Sequence, residues 1–395
     1  MQTFLITLLL GIFFSQSAVS QGNRPVTKAS FGKGIDFTTA DSSFQFKFTL
    51  RIQPQAQANF GLAPEFRRTG SEAMIRRGRL KFSGYAYTPK LTYKVELGYT
   101  NRDMESTGRS ADFPSSCLDA YMTWNFYREL GFTFGQFKVP GNHERVVSSG
   151  NLEFVDRSIV NATFNLDRDI GIMFSNEFLI GKAVFRQMAA WTIGEGRNRN
   201  TAPGGFSYTG RVEFLPFGEF ATKKADYTQA DLGRESKPKL IIGLNANYND
   251  DADRTGGQLG SRLYEQRDII TYQADAMLKY KGFSTYMEYG KRECLDPVTM
   301  DPKDSNRTQI VYAGTGLNAQ ASYVFKSHYQ LAARWSRLLP DNSVAAYELP
   351  RTDYTLGFSK YIVGHNLKVQ TDFTYSASEG GEDNFFARLS MNFEL

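Results

Sequence analysis

The densest chemistry in this 395-residue sequence is a run of cations, Arg76-Arg77-Gly78-Arg79-Leu80-Lys81, with four positive charges in six residues. Charges of one sign so close together repel unless an anion or facing acids compensate them. The planar arginine fork donates two parallel hydrogen bonds, a geometry suited to phosphate and carboxylate. The chemistry indicated is therefore anion binding. Nucleophilic catalysis would need an activated side chain beside a base. Of three histidines, His328 and His365 fall in short turns and His143 lies beside Glu144 in a longer loop. There is no Gly-x-Ser-x-Gly elbow, and neither Cys117 nor Cys294 neighbours a histidine in sequence. These two distant cysteines read as isolated thiols. No Cys or His cluster suggests a metal, and Asn249-Asp250-Asp251-Ala252-Asp253 reads as a solvated loop rather than a calcium site. No cofactor, enzymatic activity or nucleic-acid partner is expected.

The elements that carry the cations are strands. From Phe44 onward, segments of roughly ten residues alternate apolar and polar side chains, as when one face meets lipid and the other water. Phe44-Gln-Phe46-Lys-Phe48-Thr-Leu50-Arg-Ile52-Gln is unbroken, and Leu91 to Tyr99, Leu240 to Tyr248, Leu367 to Tyr375 and Phe385 to Phe393 repeat the rhythm. No sustained helical period occurs in this stretch. Long and short connections also take turns. Long loops lie near Gly61 to Glu72, Arg102 to Ser116, Pro140 to Asn165, Asp250 to Arg267, Cys294 to Thr308, Leu339 to Arg351 and Ala377 to Asn384. Between them fall short turns such as Thr88-Pro89-Lys90, Lys281-Gly282 and Val363-Gly364-His365. The exception is Phe217 to Pro238, a long segment where a short turn is due. A soluble sandwich or propeller has no reason to alternate its connections in this way. The pattern predicts an all-β fold: a transmembrane antiparallel β-barrel of about sixteen strands, with long extracellular loops and short periplasmic turns.

Composition agrees. The chain is 41% hydrophobic and 22% charged, carries a net charge of +5, and holds 32 Phe and 21 Tyr. Its mean hydropathy of −0.41 excludes a bundle of membrane helices but not a barrel whose strands are half wet. The apolar run Phe4 to Phe14 is shorter than the about 20 residues a membrane helix needs. Followed by Ala18 and Ser20, it predicts a signal peptide over residues 1–20. An N-terminal segment, 21–43, is placed in the periplasm or across the barrel mouth, and residues 44–395 form the barrel, with a third loop near 140–165. Export to a Gram-negative outer membrane follows.

Parity assigns the lumen. If Phe46, Phe48 and Leu50 face lipid, then Lys47, Thr49 and Arg51 face water, and the next strand turns Arg77, Arg79 and Lys81 inward. Arg76 has the wrong parity unless a bulge turns it in. Lys94, Arg186, Arg211, Lys279, Arg334, Lys368 and Arg388 join the polar face, against fewer acids: Glu96, Glu213, Asp275, Glu288 and Asp372. A narrow low-dielectric wall focuses such charge and draws in anions.

Several stretches resemble the phosphate-selective porin O and P family. Ile75-Arg-Arg-Gly-Arg-Leu-Lys-Phe-Ser-Gly-Tyr85 with Leu91 to Tyr99 looks like its second and third strands. Phe134-Gly-Gln-Phe-Lys138-Val-Pro-Gly, Ser148-Ser149 and Glu153-Phe-Val-Asp-Arg157-Ser look like a strand entering the third loop. Arg168-Asp-Ile-Gly171 and Tyr208-Thr-Gly-Arg211-Val-Glu-Phe-Leu-Pro216 are similar too. The resemblance implies a homotrimer of barrels, each narrowed by an inward third loop, with Arg51, Arg76, Arg77, Lys138 and Arg157 in the positions that bind the anion. With Arg79 and Lys81 from the basic run, these are the expected solute-binding residues. The third loop also carries Glu144, Glu153 and Asp156 among its bases. The expected function is passive diffusion of small anionic solutes across outer-membrane lipid. A general or sugar-permeable porin is the alternative, and a barrel enzyme a remote one.

Overall fold

A computed structural model describes residues 25–62, 65–104, 116–199, 204–222 and 224–395. The expected signal peptide lies outside the described residues, as do the start of the N-terminal segment and parts of the first two long loops. A hairpin, β1 (Val26–Ser30) and β2 (Gly34–Thr38), comes first. There follow β3 (Phe44–Gly61), β4 (Arg67–Ala86), β5 (Thr88–Gly98), β6 (Cys117–Tyr127), β7 (Leu130–Lys138), β8 (Arg168–Ile180) and β9 (Ala183–Thr192). Next are β10 (Ser207–Leu215), β11 (Lys239–Arg254), β12 (Arg262–Tyr280) and β13 (Phe283–Cys294), then a small loop hairpin, β14 (Val298–Asp301) and β15 (Asp304–Ile310). β16 (Gly314–Val324), β17 (Tyr329–Pro340), β18 (Arg351–Val363), β19 (Leu367–Ser378) and β20 (Asn384–Glu394) complete the wall. Three short helices, α1 (Asn101–Met104), α2 (His143–Val146) and α3 (Ile159–Phe164), lie in the second and third loops.

Sixteen strands, β3 to β13 and β16 to β20, pair antiparallel in sequence order, and β20 returns to β3 to close the barrel. β20 covers β3 from Arg51 to Gly61, while β2 pairs with Gln45 to Phe48 of the same strand. The N-terminal hairpin thus completes the seam, and the Phe31 ring packs on Phe393 with centroids 5.5 Å apart.

The wall is inverted relative to a soluble protein. In β18, Asp353, Thr355 and Ser359 are buried while Tyr354, Leu356 and Phe358 stand about half exposed (51%, 54% and 48%). The same alternation runs around the barrel, so the Phe and Leu rows face outward and the polar rows fill the interior. No helix among the described residues is long and apolar enough to cross a membrane, and the strands supply the crossing. The tight turns fit their chemistry: Lys281 and Gly282, both at positive φ (49° and 95°), form the two-residue link beneath the Tyr280–Phe283 pair.

Two expectations need correction or extension. Asp250 to Arg267 is mostly strand, since β11 runs to Arg254 and β12 begins at Arg262. Polarity ends the alternation there, not the pairing, because beyond the bilayer both faces of a strand are wet. The long segment 216–238 does connect β10 and β11 on the side of the short turns, and it folds into the lumen. Both cysteines are free thiols.

Candidate functional site

The third loop, residues 139–167, leaves β7 and lies inside the barrel against one half of its wall. Three inward glycines make room for it. A Cβ on Gly316 would sit 2.6 Å from the Phe164 ring, one on Gly290 3.0 Å from it, and one on Gly357 2.9 Å from the Phe154 ring. Wall side chains then hold the loop. Gln320 and Gln330 donate to the Glu153 carboxylate at 2.5 and 3.0 Å, and Val155 N–H donates to Asp372 at 3.0 Å. Gln273 donates to the Phe164 carbonyl, and Arg211 to that of Gly141. Val147, Leu152, Val155, Val160 and Phe164 are fully buried as a result. The loop fills the β11–β19 side and leaves a cavity of about 1300 Å³, lined by the wall from Arg51 on β3 round to Met188 on β9, together with Lys279 on β12 and Arg388 on β20.

The structure brings the seven expected residues to this cavity. Pro54, which has no N–H to give the ladder, stands where the β3–β4 register shifts: Gln53 pairs with Arg77 and Pro54 with Ile75. Arg76 is the unpaired bulge residue, and the bulge turns two consecutive arginines to the same face. Both reach Asp156 of the third loop, Arg76 Nη2 at 3.1 Å and Arg77 Nη2 at 2.8 Å, and Arg77 also donates to Gln53. Arg79 pairs with Glu96 (2.8 Å) and Asp103 (2.7 Å).

The other four differ in kind. Arg51 donates to the hydroxyls of Ser148 (2.9 Å) and Ser149 (3.0 Å), and its Nε has no partner. Lys138 donates to the carbonyls of Arg145 and Val146 at 3.0 and 3.1 Å, and Arg157 to those of Glu144 and Val147, both at 2.8 Å. These are the C-terminal carbonyls around α2, which cations suit. Lys81 lines the cavity, half-buried. Among the described residues, none of Arg51, Lys81, Lys138 and Arg157 forms an ion pair with a carboxylate.

Sequence reasoning missed part of the site. Lys94 binds Glu96 (2.9 Å) and Asp119 (2.5 Å), Arg168 binds Asp119 (2.5 Å) and Asp167 (3.5 Å), and Asp167 pairs with Arg145. With Arg79 this makes a chain of ion pairs along the β4–β8 wall. The inward parity of Asp119 and the Arg168-Asp-Ile-Gly171 stretch were the available signals. The Asp167–Arg145 link joins the two ends of the third loop and leaves no periodic trace.

Burial opposes ionisation of Asp156, but Arg77 and Arg76 outweigh it and hold the carboxyl well below the usual range. Burial, with Lys368 and Lys279 nearby, keeps His365 well below the ordinary imidazole value. Its Nε2 lies 3.2 Å from the Gln229 carbonyl and its Nδ1 3.5 Å from Lys368 Nζ, which fits a neutral ring protonated at Nε2. Burial likewise lowers His143, 2.6 Å from the Asp226 carbonyl. Neither histidine faces a nucleophile. No group of acids, cysteines and histidines among the described residues is arranged to hold a metal ion. Fifteen Lys or Arg side chains and seven Asp or Glu side chains line the described part of the cavity, an excess of positive charge on its walls.

Known proteins share this architecture. The OprB barrel of Pseudomonas putida aligns with 89% of this chain and 94% of its own at 10% identity and a TM-score of 0.52. An anion-selective porin from Comamonas acidovorans covers 89% of this chain and 99% of its own (10% identity, TM-score 0.53). In-vitro folded OmpT, an outer membrane protein of Vibrio cholerae, covers 93% and 100% (11% identity, TM-score 0.54). At these identities they speak for the fold alone. An uncharacterized protein of Aquifex aeolicus (strain VF5) is 25% identical over 365 residues, 82% of this chain and 80% of its own length. The profile of the phosphate-selective porin O and P family matches residues 46–384, the whole wall but its outermost ends, and the chain belongs to that family of outer-membrane porins.

Proposed function

We propose that the protein is a passive channel preferring small anions, phosphate among them, and not an enzyme. The observation that carries this reading is the set of cations without carboxylate partners, Arg51, Lys81, Lys138 and Arg157, beside the loop that narrows the lumen. An anion passing there exchanges hydration water for guanidinium and ammonium donors, held weakly enough to leave. Under the same proposal, residues 1–20 export the chain, residues 21–43 stay at the periplasmic end, and three barrels associate within outer-membrane lipid. The outward small residues Ala56 and Ala73, paired across β3 and β4, would let a neighbouring wall approach closely. The third loop, expected near 140–165, is the selectivity element.

Reversal potentials in a potassium chloride gradient across a planar bilayer test the preference. An anion-selective sign is expected, reduced in Lys81→Ala. Phosphate should lower chloride conductance by occupying the same path. A cation-selective sign would overturn the proposal. One observation favours the second reading, a weakly selective general porin: Asp156 already neutralises part of the Arg76–Arg77 pair. Retained permeability to neutral sugars, with no phosphate block, would support it.

A further inference from the structure

The segment 216–238 is long where a barrel needs only a short turn, and its contacts reach further than a turn's would. From the wall, Arg186 pairs with Asp226 at 2.5 Å, Tyr227 donates its hydroxyl to Glu213 at 2.8 Å, and Lys279 donates to the Ala225 and Thr228 carbonyls. From the next turn, Gly282 N–H donates to Asp231 at 2.7 Å, and Lys281 N–H to the Glu235 carbonyl at 2.9 Å. The segment also meets the third loop, which enters from the opposite mouth. Gln229 N–H donates to the Asn151 carbonyl at 2.9 Å, Gln229 Oε1 accepts from Glu153 N–H at 2.9 Å, and His143 bonds the Asp226 carbonyl.

We propose that residues 216–238 are a second selectivity element, a periplasmic half-septum that joins the third loop in mid-lumen and confines solutes to the cationic β3–β9 side. Two features carry this. The two insertions bond to each other through backbone and side chain, so the partition continues from one mouth toward the other. Three of the segment's carboxylates are held by close donors, Asp226 by Arg186, Asp231 by the N–H groups of Gly282 and Glu235, and Glu235 by Ala221 N–H, while Glu219 lies 3.8 Å from Arg186. Among the segment's described residues Lys224, exposed, is the cation that lines the cavity, beside Asp231 and Glu235, whose carboxylates accept from backbone N–H groups. An anion leaving the narrow region therefore meets a further cation before the periplasm.

The inference deepens the channel reading and rests on it. Its test is single-channel recording of the full chain with residues 217–237 replaced by a four-residue glycine-containing turn. The β10–β11 pairing of Phe214 with Ile242 remains to close the link. Conductance should rise about twofold or more as the second half of the lumen opens, and the chloride-over-potassium permeability ratio should fall. In parallel, Lys224→Glu, which leaves the septum in place, should lower that ratio about threefold at low salt. Unchanged conductance in a folded replacement variant overturns the septum. Should that variant fail to fold, an unchanged ratio in Lys224→Glu overturns it instead. If the unaltered protein conducts without anion preference, the proposed function falls, whereas a conductance rise on replacement still supports the septum.

Discussion

Asp156→Asn gives the sharpest test of how this lumen treats anions. Asp156 accepts from Arg76 and Arg77, and under the proposed function it places a carboxylate of the protein where a solute anion would otherwise bind. Asparagine keeps the size and one acceptor but removes the charge. A unit charge about 4 Å from the path is worth roughly 1 kcal/mol in a water-filled lumen and several times that where the wall excludes water. Taking the lower figure, local anion concentration rises about fivefold and cation concentration falls as much, so permeability selectivity grows by an order of magnitude or more. Arg77 is nearly buried, with a side chain 4% exposed, and in the variant keeps only Gln53 as a strong acceptor. Stranding a buried charge costs up to about 3–5 kcal/mol, so the variant should be less stable in low salt and recover with anions. At ten times the dissociation constant, a bound anion restores about 1.4 kcal/mol. Reversal potentials read the first effect, and thermal unfolding in detergent across a phosphate series reads the second. If the reversal potential is unchanged and phosphate does not stabilise the variant, Asp156 is not a competitor for solute and the reasoning fails.

Other consequences can be checked alongside. Arg51→Ala removes the donors to Ser148 and Ser149, so the loop should fluctuate more and open-channel current noise should rise; quiet traces would show that the far wall alone holds it. Gly316→Val should drive the Phe164 ring from its seat, destabilise the barrel by about 1–3 kcal/mol and alter conductance, whereas Gly210→Val, with nothing within 4 Å of its Cβ, should do neither. His365 is held neutral in the folded chain, so protonation favours the unfolded state. Stability should therefore fall as pH drops through the unfolded value of about 6.5, with a slope that His365→Gln reduces; equal slopes would refute the assignment. Removing residues 25–43 uncovers Gln45 to Phe48 of β3 and should lower the unfolding temperature without changing anion selectivity.

The fold was legible because a barrel in lipid leaves its period in every strand. Phe44 to Ile52 states both faces of β3, and Lys281-Gly282 states a turn. Arg51, Arg77, Arg79 and Lys81 followed from parity, while Arg76 needed the bulge that Pro54 explains only once the register is known. Pairing was not legible. Asp156 is adjacent to Arg157 in sequence, yet it is the partner of Arg76 and Arg77 some 80 residues away, a relation set by how the loop lies in the barrel. The course of 216–238 was hidden too. Its length was anomalous, but its contacts to Asn151 and Glu153 depend on two loops meeting inside a lumen that neither spans alone.

The location of the opening and the choice of solute rest on different residues. Gly290, Gly316 and Gly357 decide where the third loop lies, because only an absent Cβ admits Phe164 and Phe154 against the wall. Once the loop lies there, Glu153, Arg211 and Asp372 on that side are spent on the loop or on neighbouring wall residues, and Asp372 also holds Arg388 at the cavity edge. On the open side Glu96, Asp103, Asp119 and Asp167 absorb Arg79, Lys94, Arg168 and Arg145 in pairs, which fixes the wall without making it attractive to either sign. Beside Lys224 of the inserted segment, the expected residues that remain to act on a passing ion are Arg51, Lys81, Lys138 and Arg157, three of which also brace the loop. Selectivity and rigidity are thereby tied: replacing any of those three removes an attractive charge and loosens the constriction together, while Lys81, which braces nothing, should separate the two effects.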